Sequence, residues 1–220
     1  MKGTKNPRVK ICCISSVNEA LLAIRYGASA LGLVSKMPSG PGVISDECIS
    51  LIAKLIPPPV ASFLLTCETN SENIVSQQRK FKTNTLQLVD EVEVKIYDEL
   101  KEKLPGISIV QVVHVTDESS IDYALKVSEF TDAILLDSGN PNLKIKELGG
   151  TGRVHNWEIS RKICEAVDIP VFLAGGLNPQ NVREAIETVE PFGVDLCSGV
   201  RSNGKLDEIK LKKFFEAVRA

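Results

Sequence analysis

The feature that most constrains the fold is a repeated alternation of short apolar runs with amphipathic stretches. The runs are rich in β-branched and leucine side chains, which are typical of strands, at 9–12, 30–34, 60–65, 85–88, 107–114, 133–137, 171–174 and 194–197. The stretches that follow them have helical periodicity, at 17–26, 46–55, 71–81, 94–104, 119–129, 157–167, 179–188 and 207–219. Runs that are apolar without interruption, such as 133–136, are typical of parallel strands covered by helices.

Capping residues support these helices and their limits. Ser16 and Ser45 precede predicted helices as N-caps, Asn178 precedes a helix that starts at Pro179, and Gly27 ends the first helix. An open doubly wound sheet usually has about six strands and a glycine-rich first turn. The eightfold alternation instead predicts a (β/α)₈ (TIM) barrel, with residues 1–220 forming one domain.

Charge and composition exclude several classes of function. The net charge of −2 and the pI of about 5.8 argue against a nucleic-acid partner. No apolar run has the length of a membrane span, and the first residues lack the apolar stretch of a secretory signal. The six cysteines are scattered without a C-x-x-C pair, so no metal site is expected. We expect a cytoplasmic enzyme with reduced thiols and without a membrane partner.

Glycines after the last two predicted strands indicate an anion site. Gly175 and Gly176 follow the seventh strand, and Ser198 and Gly199 follow the eighth. Glycines allow backbone N–H groups to approach an anion closely, and phosphate sites recur at this place in TIM barrels. Gly152, which ends a glycine-rich segment after the sixth strand, is expected to reach the same anion. The alternative is that these glycines only form tight turns.

Two strand-end residues are candidates for acid–base chemistry. Cys12 closes the first strand and Asp137 closes the sixth, so both side chains are expected at the top of the barrel. A thiol near bound phosphate is a candidate base, and a partly desolvated carboxyl group is a candidate acid. The alternatives are that Cys12 only packs and that Asp137 only caps a loop.

Several motifs in chain order give the sequence a family resemblance. The motifs are Lys-Ile-Cys at 10–12, Leu-Leu-Asp at 135–137, Gly-Gly-Thr-Gly at 149–152, Leu-Ala-Gly-Gly-Leu at 173–177 and Ser-Gly-Val at 198–200. Together they resemble phosphoribosylanthranilate isomerase over nearly the whole chain. The resemblance implies an Amadori rearrangement of a phosphorylated aminoaldose in tryptophan biosynthesis, without metal or organic cofactor. It also implies that Cys12 is the base and Asp137 the acid.

The sequence departs from this family at the aromatic end of the expected substrate site. Cys13 stands where the family has a glycine, Gly42 where it has an arginine for the anthranilate carboxylate, and Val89 where it has a histidine. Candidate substrate contacts near strand ends are Lys10, His114, Arg153 and Arg201. His114, Arg153 and Arg201, with Lys36, are also candidates to compensate for these losses; the alternative is that each is a solvated charge or caps a loop.

Three functions remain open from the sequence. The first is the isomerase with a rebuilt carboxylate pocket. The second is a paralogue that isomerises another phosphosugar with the same Cys12 and Asp137. The third is a phosphate-ligand-binding protein without turnover. The retained acid–base pair favours an enzyme. We expect a phosphorylated sugar substrate, and the oligomeric state stays open between monomer and homodimer.

Overall fold

The computed structural model describes residues 6–38, 40–139 and 152–220, and its centre is a closed ring of parallel strands. The strands are β1 (Arg8–Ile11), β2 (Ala30–Val34), β3 (Ala61–Thr66), β4 (Thr85–Leu88), β5 (Ser108–His114), β6 (Ala133–Asp137), β7 (Val171–Leu173) and β8 (Gly193–Leu196). Each strand pairs with its neighbours in chain order, and β8 pairs with β1 to close the ring. The predicted (β/α)₈ barrel is confirmed.

The helices surround this ring. They are α1 (Val17–Tyr26), α2 (Asp46–Leu55), α3 (Ser71–Phe81), α4 (Val94–Lys103), α5 (Ser119–Ser128), α6 (Trp157–Ala166), α7 (Val182–Val189) and α8 (Glu208–Arg219). The hydroxyl groups of Ser16 and Ser45 accept hydrogen bonds from the first turns of α1 and α2, and Gly27 ends α1 with a φ of 109°. Within the described part of the chain, no helix combines the length and the apolar character that crossing a membrane requires.

Helix α7 begins later than the sequence predicts. The predicted start was Pro179, but the side-chain oxygen of Asn178 accepts hydrogen bonds from the N–H groups of Gln180 and Asn181 at 2.9 and 3.2 Å. These bonds close a turn, so the helix starts only at Val182. Between β8 and α8 the chain also forms two elements that the sequence pattern does not predict. They are a 3₁₀ turn (Ser198–Val200) and a hairpin of β9 (Arg201–Ser202) with β10 (Lys205–Leu206).

Alternation along each strand divides the core into two clusters. Outward-facing residues such as Ile11 and Leu31 pack under the helices, and inward-facing residues such as Phe63 and Phe172 fill the barrel. The Phe63 and Phe172 rings meet edge to face, with their centroids 5.9 Å apart. This inner cluster supports the residues at the carboxyl ends of the strands.

Candidate active site

A cleft opens at the carboxyl ends of the strands. Its lining includes Cys12, Asp137, Gly175, Gly176 and Ser198. The fold therefore brings the predicted acid–base residues and most of the predicted anion-binding residues into one cavity, as expected for the catalytic face of a TIM barrel.

Cys12 lies directly after β1 at the base of the cleft. Its backbone N–H donates to the carbonyl of Leu196 at 2.8 Å, which continues the pairing of β1 with β8. A Cβ atom on Gly32 of β2 would lie 2.8 Å from the Cys12 sulfur and 3.2 Å from Lys10 Nζ. Gly32 therefore leaves the space that both side chains occupy, a role that the sequence analysis missed.

Asp137 ends β6 and lines the other side of the cleft. Its carboxylate accepts a hydrogen bond from the backbone N–H of Ser138 at 2.7 Å. Burial raises the pKa of Asp137, although the Ser138 N–H and the nearby His114 oppose this shift. A raised pKa favours the protonated form that a general acid needs.

A buried ion pair lies one pleat below Cys12. Lys10 is fully buried, and its Nζ lies 2.9 Å from the carboxylate of Asp195, its register partner on β8. Burial disfavours the lysine charge, but the Asp195 carboxylate outweighs this effect and raises the pKa of Lys10. Lys10 is thus committed to Asp195, and it is Asp195, which the sequence analysis did not select, that reaches the cleft.

The loops after β6, β7 and β8 meet at the predicted anion site. Gly175 and Gly176 have φ values of 81° and 64°, which favour glycine. A Cβ atom on Gly152 would lie 3.6 Å from the Ser198 hydroxyl, and one on Gly199 would lie 2.0 Å from the carbonyl of Leu177. These distances show how closely the three loops pack.

The anion site also has free donors. Among the described residues, we find no protein acceptor for the backbone N–H groups of Gly175, Gly176, Ser198 and Gly199. Such donors at the end of a barrel are suited to a phosphate group. Residues 149–151, which complete the glycine-rich segment, lie outside the described residues.

Two departures from the family pattern pack directly against each other. Cys13 has a φ of 59°, in the left-handed region that favours the glycine of the family. A Cβ atom on Gly42 would lie 2.4 Å from the Cys13 Cβ and 2.8 Å from its sulfur. The Cys13 side chain therefore occupies the space that a side chain at position 42 would need.

The other candidate contacts have different surroundings. The Arg201 guanidinium pairs with Glu19 at 3.0 Å and donates to the carbonyls of Cys12 and Cys13, so it holds the loop after β1. His114 Nε2 bonds to the carbonyl of Val89 at 3.2 Å. The Arg153 backbone packs against Gly176, beside the anion site. Val89 lines the cleft, whereas Arg201, His114 and Arg153 are not among its described lining residues.

Comparison with known proteins bears on what this cleft does. The family model for N-(5'phosphoribosyl)anthranilate (PRA) isomerase matches residues 9–217. The chain belongs to the phosphoribosylanthranilate isomerase family. A family member from Methanocella arvoryzae is 34% identical over 96% of this chain and 98% of its own length.

Solved isomerase structures share the fold over nearly the whole chain. The phosphoribosylanthranilate isomerase of Thermotoga maritima is 32% identical with a TM-score of 0.83, covering 97% of this chain and 98% of its own. Another family structure, which holds reduced 1-(o-carboxyphenylamino)-1-deoxyribulose 5-phosphate, is 30% identical with a TM-score of 0.81 over the same shares. These comparisons confirm the predicted isomerase of this family. They do not support the two alternatives, the phosphosugar paralogue and the binding protein without turnover.

Proposed function

We propose that the chain isomerises phosphoribosylanthranilate, with Cys12 as general base and Asp137 as general acid. The observation that carries the proposal is that both side chains line one cleft with the glycine loops after β7 and β8. An anion held by those loops fixes the sugar carbons between the two groups, and such positioning is a large part of catalysis. We further propose that the protein is a cytoplasmic monomer or homodimer whose substrate is a phosphorylated sugar.

The proposed steps need only proton transfers. Protonated Asp137 gives its proton to the ribose ring oxygen, the C1′–O bond breaks, and the nitrogen lone pair forms the C1′=N bond of a Schiff base. The Cys12 thiolate then removes the proton from C2′, the C2′–H electron pair forms the C1′=C2′ bond of an enolamine, and the second electron pair of the C1′=N bond returns to nitrogen. Tautomerisation gives the ketose. The raised pKa of Asp137 suits it to the first step.

The aromatic end of the cleft recognises its substrate mainly through shape. Val34, Met37, Leu65 and Val89 line the cleft, and among its described lining residues there is no lysine or arginine. A buried polar group left unpaired typically costs about 1–3 kcal/mol, and a charged carboxylate costs more. We therefore propose that this protein binds the anthranilate carboxylate more weakly than relatives that keep the arginine.

Single substitutions test the two catalytic roles. Cys12→Ser and Asp137→Asn should each lower kcat on phosphoribosylanthranilate at least about 100-fold, because general acid–base assistance contributes about 10²–10⁴-fold. Matched controls are Cys164→Ser, which removes a thiol from α6, and Asp122→Asn, on the exposed face of α5. The controls should keep wild-type kcat.

A genetic assay tests the whole reaction. The wild-type chain should restore growth to a tryptophan auxotroph that lacks this isomerase, and the Cys12→Ser and Asp137→Asn variants should not. Wild-type activity that both variants retain would refute the assigned roles. Failure of the wild type on phosphoribosylanthranilate, with turnover of another phosphorylated aminoaldose, would refute the substrate.

A further inference from the structure

Three cysteine thiols lie together at the mouth of the cleft. Cys12, Cys13 and Cys197 all line it, and we call them the thiol cluster. The six cysteines all lie among the described residues, and none of them forms a disulfide. The catalytic proposal uses only Cys12, so the other two thiols of the cluster have no role in it.

The pairing of the first and last strands creates this cluster. Because Ile11 is the register partner of Leu196, the next residues, Cys12 and Cys197, emerge side by side from β1 and β8. The left-handed backbone of Cys13 places its side chain in the same cleft, where its thiol interacts with both neighbours and donates to the carbonyl of Pro41 at 3.6 Å. The loop at Gly42 packs closely against the Cys13 side chain and so restricts the position of its sulfur.

Cys197 is the more nucleophilic member of the pair that it forms with Cys13. It is half-buried and faces the cleft, and the Arg201 guanidinium lies beside it. The hydrogen bond from Cys13, helped by Arg201, lowers the pKa of Cys197. Hydrogen bonds to its neighbouring thiols and burial raise the pKa of Cys13, which therefore keeps its proton. An accessible low-pKa thiol next to a second thiol is the arrangement typical of oxidisable cysteines.

We propose that Cys13 and Cys197 form an oxidisable dithiol site, which a peroxide converts into a disulfide across the mouth of the cleft. The Cys197 thiolate attacks one peroxide oxygen, the O–O bond breaks, and the released hydroxide takes up a proton as water. The Cys13 sulfur then attacks the sulfur of the Cys197 sulfenic acid. The S–O bond breaks, and the oxygen leaves as water with the Cys13 proton. In total, two thiols are oxidised and one peroxide is reduced to two waters.

The disulfide would stop turnover by changing the surroundings of Cys12. It fixes the residue next to the proposed base and crosses the cleft beside Ser198 of the anion site. A reductant restores both thiols and therefore the activity. This effect rests on the proposed function, whereas the disulfide itself does not.

Mass spectrometry tests the disulfide independently of activity. Wild-type protein treated with a slight excess of hydrogen peroxide should become lighter by two hydrogens per chain. Trypsin cuts after Lys10, Arg25, Arg183 and Arg201, so the disulfide should join peptides 11–25 and 184–201. Because peptide 11–25 holds both Cys12 and Cys13, the Cys13→Gly variant assigns the sulfur. Glycine suits the left-handed backbone at this position.

The cross-linked peptide should be absent from Cys13→Gly and Cys197→Ala and present in Cys164→Ser. Burial raises the pKa of Cys164 to about 12, so this control removes an unreactive thiol. A cross-link that persists in Cys13→Gly, or oxidation without any cross-link in the wild type, would overturn the proposal.

Activity is measured relative to each variant's own untreated rate. The wild type should lose most of its activity with the rise of the cross-link and regain it with dithiothreitol. Cys13→Gly cannot form this disulfide, so its Cys197 should oxidise further to the irreversible sulfinic acid. A cross-linked protein that still turns over would refute the effect on the active site and leave the disulfide standing. A wild type that is inactive before oxidation would instead refute the proposed function.

Discussion

The contact between Cys13 and Gly42 predicts that the two positions are energetically coupled. Replacing Gly42 by alanine adds two costs to the folded state. The φ of 85° disfavours an L-residue by about 1–2 kcal/mol. The new Cβ, 2.4 Å from that of Cys13, adds an overpacking cost of about 1–3 kcal/mol. Gly42→Ala should therefore lower the free energy of unfolding by about 2–5 kcal/mol in total.

Another glycine separates these two costs. Gly106 has nearly the same φ, 82°, but a Cβ there would meet nothing within 4 Å. Gly106→Ala should therefore cost only about 1–2 kcal/mol. In a Cys13→Gly background, Gly42→Ala should fall close to this value, because the two nearest contacts of the new Cβ, with the Cβ and sulfur of Cys13, are removed.

Urea denaturation followed by circular dichroism measures all four members of the cycle and the Gly106→Ala control. The expected coupling between positions 13 and 42 is about 1–3 kcal/mol, with denaturant slopes unchanged. Costs that add within about 0.5 kcal/mol would show that the two residues do not share one space and would refute the reasoning.

Two further predictions concern the anion site and its surroundings. Burial lowers the pKa of His155 to about 4, so stability should fall by about 3 kcal/mol as pH drops from about 6.5 to 4, where the unfolded chain binds the extra proton. Urea midpoints of His155→Phe should lack this slope, and an equal slope would exclude His155 as its source. A Cβ at position 199 would lie 2.0 Å from the Leu177 carbonyl, so the loop must shift, at a cost of about 1–3 kcal/mol. Gly199→Ala should therefore raise KM at least about tenfold. Gly204→Ala, where a Cβ meets nothing within 4 Å, should keep the wild-type KM, and equal values for the two variants would contradict the loop geometry.

Most of the fold follows from local sequence signals. The predicted bounds of β2, β4 and β6 coincide with the observed ones. The β2 run is apolar and lies between Ser29 and Ser35, which makes its limits plain from the sequence. The predicted start of α7 was wrong because the Asn178 side chain accepts from the N–H groups of Gln180 and Asn181, while the Asn181 side chain accepts from the N–H of Asn178. Local competition of this kind depends on side-chain geometry that a periodic pattern does not contain.

The candidate site, like the fold, has one part that local sequence signals predict and another that only tertiary contacts show. Cys12 and Asp137 follow from their places at strand ends, since the carboxyl ends of barrel strands meet on one face. The roles of Asp195 and Gly32 depend on residues on neighbouring strands. Asp195 neutralises the buried Lys10, and Gly32 leaves room for the thiol of Cys12. The sequence shows Cys13 and Gly42 only as two separate departures, because their contact links residues far apart in the chain.

The meeting of β1 with β8 has a consequence for how the protein matures. A ribosome releases the amino-terminal strand first, so Cys12 and Lys10 leave it long before Asp195 and the glycines after β7 and β8. Until the last strand arrives, the proposed base has no phosphate anchor beside it and the lysine has no counter-ion. The appearance of enzymatic activity during folding would therefore measure the pairing of β1 with β8. In a circular permutant whose chain begins on the opposite side of the barrel, activity should appear only when the new first and last strands have paired.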